Sequence, residues 1–102
     1  MANTFKNYTD LAVGTSASTS YTVASSTTAV MIGMNIANLH TAQILVTVTC
    51  AGATLVKTVP IPANSSLSVL DGKIILETTD TVVVTSNVAS SADVLISVLE
   101  QT

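Results

Sequence analysis

The residue pattern predicts an all-β fold: an antiparallel β-sandwich, immunoglobulin-like or jelly-roll-like, with about eight short strands. Apolar residues alternate with Ser, Thr or other residues at period two along much of the chain. Turn-forming residues interrupt that alternation about every ten positions. No stretch keeps a 3.6-residue apolar repeat between charged caps, and Ala, Leu, Glu and Lys never cluster as helix formers do. The 102 residues read as a single domain, 1–102, long enough to bury one core without staples.

The strands are expected in order. Residues 4–13 and 20–24 form the first two, divided by Gly14-Thr15-Ser16. In 29–37, Val30, Ile32, Met34 and Ile36 occupy alternate positions. In 43–49, Ile44, Val46 and Val48 do the same, leading to Cys50. Residues 54–59 follow Ala51-Gly52, a weak hairpin signal. Pro60 and Pro62 cannot continue a central ladder, so they mark a strand end or a crossover between sheets. Residues 66–70 and 73–77 flank Asp71-Gly72, a strong hairpin signal because a type I′ turn needs positive φ at both central residues. Residues 81–86 and 94–100 complete the set. The expected core is Val30, Ile32, Met34, Ile36, Ile44, Val46, Val48, Leu76, Val82, Val84, Val94, Ile96 and Val98.

Only 9% of the residues are charged and mean hydropathy is +0.63. Ordinary domains carry about 25% charged residues. No apolar run approaches the ~20 residues of a membrane helix. The surplus apolar surface therefore points to contact with other protein. It shows in the strands themselves: Leu45, Val83, Leu95 and Leu99 lie opposite the core set, and these four are the expected interface residues. Without gatekeeper charges such a surface invites aggregation unless neighbours cover it.

The composition excludes several function classes. A net charge of −3, with three Lys and no Arg, does not suit nucleic acid. Phe5, Tyr8 and Tyr21 are the only aromatics, too few for a stacking platform for sugars or single strands; near the N-terminus they are placed to anchor the first strand to a neighbour, or else to pack in the core. The opening residues lack the apolar core of a secretion signal, so synthesis in a cytoplasm is expected. His40, alone in a predicted loop, reads as a solvated turn residue, and Cys50 as a small core residue. Asp71, Glu77 and Asp80 read as turn carboxylates, with no calcium-loop pattern. The four isolated glycines form no phosphate cradle. No catalytic, cofactor-binding or metal-binding residue, no cofactor and no enzymatic activity is expected.

The stretch from Val59 through Pro60-Ile61-Pro62-Ala63-Asn64-Ser65-Ser66 to Val69-Leu70-Asp71-Gly72-Lys73-Ile74-Ile75-Leu76-Glu77 resembles small β-sandwich virion structural proteins of tailed bacteriophages, cyanophage-like ones especially. The final strand, Asp93-Val94-Leu95-Ile96-Ser97-Val98-Leu99-Glu100, fits the same resemblance. It implies a non-enzymatic virion component, made in a bacterial host cytoplasm and bound to other virion proteins, the major capsid protein or neck and tail proteins. The first expectation for its place is an accessory or decoration subunit on the particle. The alternative is a neck, tail or baseplate ring component. A second alternative, from another class, is a free binding module for a host receptor or glycan. The expected partners are other virion proteins and further copies of the chain, with neither nucleic acid nor membrane.

Overall fold

A computed structural model describes residues 3–70 and 72–102. The alternating segments become nine strands: β1 (Asn3–Val13), β2 (Ser18–Thr22), β3 (Thr28–Asn38), β4 (Ile44–Cys50), β5 (Ala53–Ile61), β6 (Ser66–Ser68), β7 (Ile74–Leu76), β8 (Thr81–Ser86) and β9 (Ala92–Gln101). There is no helix among the described residues. The strands pair antiparallel in two sheets. One runs β1-β9-β3-β6, with β7 also on β3, and the other runs β2-β8-β4-β5.

The pairings have a simple logic. β4 pairs with β5, β3 with β6 and β7, β2 with β8, and β1 with β9. The chain is thus one long antiparallel ribbon, doubled back at the β4–β5 turn. Pairing of β3 with β9 and of β4 with β8 rolls the ribbon into two facing sheets. This is jelly-roll connectivity, with β6 and β7 serving as a single interrupted strand.

That interruption corrects the expected hairpin at Asp71-Gly72. Asp71 lies outside the described residues. β6 and β7 do not pair with each other; both lie along the same edge of β3, at Asn35↔Ser68 and Met31↔Ile74. Val69 N–H still donates to the Met34 carbonyl at 3.0 Å, and among the described residues Leu70, Gly72 and Lys73 lie outside both strands. Gly72 does carry positive φ, +146°, but in this detour and not in a hairpin. The weaker signal marks the true hairpin: Ala51 and Gly52, at φ 52° and 81°, link Cys50 to Ala53. Two left-handed residues in a two-residue loop match the twist of the strands they join. Pro60 sits near the end of β5, a sheet edge, and Pro62 just after it, where the chain crosses sheets.

One continuous core fills the sandwich, including Met34, Ile36, Ile44, Val46, Val48, Leu76, Val82, Val84, Val94, Ile96 and Val98, as expected. Val30 and Ile32 are not in it. The register of β3 on β9 shifts between Met31 and Gly33, with Ile32 as the extra residue. A bulge reverses the inside-outside phase of everything beyond it. Ala29 and Met31 are therefore the buried residues of that half-strand, while Val30 is half-buried and Ile32 exposed.

Candidate functional site: an apolar outer sheet face

Residues directly opposite in antiparallel strands share a face. Phe5 opposes Leu99, Leu99 opposes Val30, and Val30 opposes Ile75. Their chain neighbours Val98, Met31 and Leu76 are buried, so all four lie on the outer face of the five-stranded sheet. They make an apolar row across every strand at that level. Phe5 is 73% exposed and Ile75 69%. Ile32, pushed outward by the bulge, is 42% exposed, and Leu95, one step along β9 beyond Ser97, is 43% exposed.

The next row is short. Asn7, Ser97 and Gly33 oppose one another, and Ser97 Oγ donates to Asn7 Oδ1 at 2.7 Å. Between Phe5 and Ile32 this leaves a shallow depression of about 240 Å³, whose lining includes Asn7 and Ser97. The row after that carries Thr9, Leu95, Asn35 and Ser68. None of the residues in these rows is charged. The face is apolar at one end and polar towards the other, where Asp93, opposite Ala37, carries a carboxylate.

The opposite outer face differs. Thr47 opposes Thr85, Thr19 opposes Val83, Val83 opposes Thr49, and Thr49 opposes Thr54. Leu45 and Val83 are half-buried within this threonine surface. The four expected interface residues are therefore not brought together. Leu95 and Leu99 share the apolar face, whereas Leu45 and Val83 lie on the far side of the sandwich. Phe5, Val30, Ile32 and Ile75 join the apolar face, and sequence reasoning did not assign them to it. Val30 and Ile32 alternate with the expected core set, and nothing local in the sequence marks the bulge that turns them outward. Ile75 was legible only as one apolar residue in an unbroken run.

A polar cluster closes one end of the sandwich. Glu100 Oε2 accepts from Tyr21 Oη at 2.6 Å and from Tyr8 Oη at 2.8 Å, and Lys6 Nζ lies 3.9 Å from Oε1. The two rings pack with centroids 4.6 Å apart. The Tyr21 hydrogen bond leads the effects that hold the Glu100 carboxyl below its usual range. Burial, then the adjacent Glu100, pushes both tyrosine hydroxyls up. The cluster ties β1 and β2 to the end of β9 within the chain, so Tyr8 and Tyr21 serve packing inside the sandwich. Phe5 takes no part and faces outward.

The other singled-out residues have structural roles. Cys50 is buried at the end of β4, and burial raises its thiol pKa, with Asp80 adding to the effect. His40 precedes the start of β4, about 20 Å of strand away, so the two form no pair. Its backbone N–H donates to Asn38 Oδ1 at 2.7 Å. Buried Asn38 in turn donates to the carbonyls of Ala42, Ile61 and Pro62, fixing the β3–β4 turn. Asp80 Oδ2 accepts from the Glu77 N–H at 2.9 Å, bracing the β7–β8 turn. Among the described residues no three His, Cys, Asp or Glu side chains gather as a metal site.

Comparison of the chain with protein-family models, with curated proteins and with solved structures finds no match.

Proposed function

We propose that this chain is a non-enzymatic structural subunit that docks on a larger protein assembly through the outer face of its five-stranded sheet. One observation carries the reading: the uncharged row Phe5–Leu99–Val30–Ile75, flanked by Ile32 and Leu95, left open to solvent on a chain with few charges. Apolar area removed from water contributes about 25 cal/mol per Å², offset by the entropy of association. Many weakly held copies add through avidity. Burial of Cys50 and the turn-bracing roles of Asn38 and Asp80 support a scaffold over a reaction centre.

On the resemblance to small phage β-sandwich proteins we propose a virion as the assembly and an accessory or decoration subunit as the role, with a neck, tail or baseplate ring as the alternative and a free binding module for a host receptor or glycan as the second. Jelly-roll connectivity is in keeping with that reading by fold analogy alone, since the same architecture also serves lectin domains and cupins.

The test is copy number by mass spectrometry of purified particles, for wild type and for Leu95→Lys and Ile75→Lys. Hundreds of wild-type copies are expected for decoration, and six to about a dozen for a ring. Either lysine places an unpaired cation in the seam and is expected to abolish incorporation while leaving the circular dichroism spectrum unchanged. Absence of the wild-type chain from particles, or normal incorporation of both variants, overturns the reading.

A further inference from the structure

Of the strands at the sheet margins, three are protected against pairing with another chain. β2 has five residues and a register shift between Thr19 and Tyr21. β5 has two register shifts, a left-handed residue at Thr58 and a proline at position 60. The β6/β7 edge is two three-residue pieces with a detour between them. Such devices keep sheets from growing edge to edge. β1 has none of them along residues 3–10. It runs in unbroken register with β9 from Asn3↔Gln101 to Asp10↔Val94 and borders no further strand of its sheet.

What β1 does carry is charge. Lys6 and Asp10 share the inward-facing parity, and Phe5 and Leu11 share the outward one. A buried or edge-facing lysine rejects an arbitrary strand, but a strand that delivers a carboxylate opposite it is accepted. We infer that the partner of this edge is a second copy of the chain, with β1 paired antiparallel to β1 about a two-fold axis through Tyr8 and perpendicular to the sheet. Such an axis keeps each outer face on the same side, so residues of equal parity oppose one another. In this register Lys6 opposes the partner's Asp10, and Asp10 the partner's Lys6, giving two reciprocal ion pairs. Phe5 opposes the partner's Leu11, and Leu11 the partner's Phe5. These side chains, 73% and 66% exposed in the single chain, then cover each other. A register centred on Lys6 would instead set lysine against lysine. Asp10 is already positioned for the role: Ser18 and Ser20 donate to its Oδ2 at 2.6 and 2.8 Å, and Oδ1 takes no part in those bonds.

The inference rests on the assembly reading but uses a different surface, the edge and not the outer face. The dimer joins two five-stranded sheets into one and makes their apolar faces continuous, which doubles the area available for docking.

Sedimentation equilibrium of the full chain is expected to show a concentration-dependent dimer. Lys6→Asp should weaken it about tenfold or more, because like charges then face each other at the seam. Combining Lys6→Asp with Asp10→Lys should restore it, since the charges are exchanged within the same register. Asp10 also holds Ser18 and Ser20, and Lys6 Nζ lies 3.9 Å from Glu100 of its own chain, so a second test leaves both untouched. Asn7 opposes the partner's Thr9 in this register. An equimolar mixture of Asn7→Cys and Thr9→Cys chains should form a mixed disulfide under mild oxidation much faster than either chain alone forms its own. A wild-type chain that stays monomeric at the highest soluble concentration, a dimer indifferent to Lys6→Asp, or a mixture that cross-links no faster than its components overturns the inference. Leu95→Lys should leave the dimer intact while abolishing docking, so failure of the edge and failure of the face are read separately.

Discussion

Replacing Glu100 with Gln removes one charge from the cluster that closes the sandwich, and its effect can be worked out from three contacts. Two are short hydrogen bonds, from Tyr21 at 2.6 Å and Tyr8 at 2.8 Å; the third is Lys6 at 3.9 Å. A hydrogen bond to a charged group contributes about 1.5–3 kcal/mol, against about 0.5–1.5 kcal/mol for a neutral one. Gln keeps an acceptor, so each tyrosine bond loses about 1 kcal/mol. Lys6 is half-exposed and its long contact adds nothing to the tally. The expected loss is about 2 kcal/mol, or roughly 8–16 °C in Tm for a domain of this size. The pH dependence supplies a second signature. Folding lowers the Glu100 pKa, so its contribution is fully present above the unfolded value of about 4.3. It is lost as pH falls through the depressed folded value. Thermal unfolding by calorimetry between pH 2 and 8 should therefore give wild-type and Glu100→Gln curves well separated at neutral pH that converge in acid. Equal stability at pH 7, or a gap that stays constant down to pH 2, would refute the assignment of the cluster as a charged tie.

The bulge makes adjacent residues behave oppositely: Met31→Lys should prevent folding or cost more than about 4 kcal/mol, while Ile32→Lys should stay within about 0.5 kcal/mol of wild type in urea titrations. Gly52→Val should cost about 1–2 kcal/mol in the same assay, since it puts a β-branched residue at positive φ in the turn that doubles the chain back. Cys50, buried and with a raised thiol pKa, should react with a disulfide reagent at neutral pH only at the rate of unfolding, and immediately in denaturant.

The fold was legible where alternation alone decides it. The alternating runs through Ile44, Val46 and Val48, Val82 and Val84, and Val94, Ile96 and Val98 each send one parity into the core, as read. Legibility failed where a single residue changes the count. Nothing in Val30-Met31-Ile32-Gly33-Met34 marks which residue is extra, because all the side chains there are apolar and either phase buries them well. The choice is made by the partner strand β9, which is distant in sequence. Asp71-Gly72 misled for a related reason. Gly at positive φ suits any sharp departure from a strand, and only the pairing of both flanks with β3 distinguishes a detour from a hairpin. The candidate face was half legible. Leu95 and Leu99 stand out as apolar residues opposite a core set. Their neighbours Phe5 and Ile75 come from strands at opposite edges of the sheet, far apart in sequence, and no local pattern predicts that row. The Glu100 cluster, which joins three strands, was invisible for the same reason.

The ribbon architecture also has a kinetic consequence. Among the described residues only the turn at Ala51-Gly52 joins sequence neighbours in a tight pair; every further pairing closes a longer loop, until Asn3 meets Gln101. Loop closure of this kind places the chain among the slow folders, in milliseconds to seconds, with β4 and β5 as the natural starting point. On a ribosome the order of synthesis runs against the order of pairing. Of these strands β1 is made before all the others and its partner β9 after them, so Phe5 and both edges of β1 stay open until β9 emerges. A chain stalled before β9 would present an unsatisfied strand on both sides, and its fate would be decided by whichever strand reached it first.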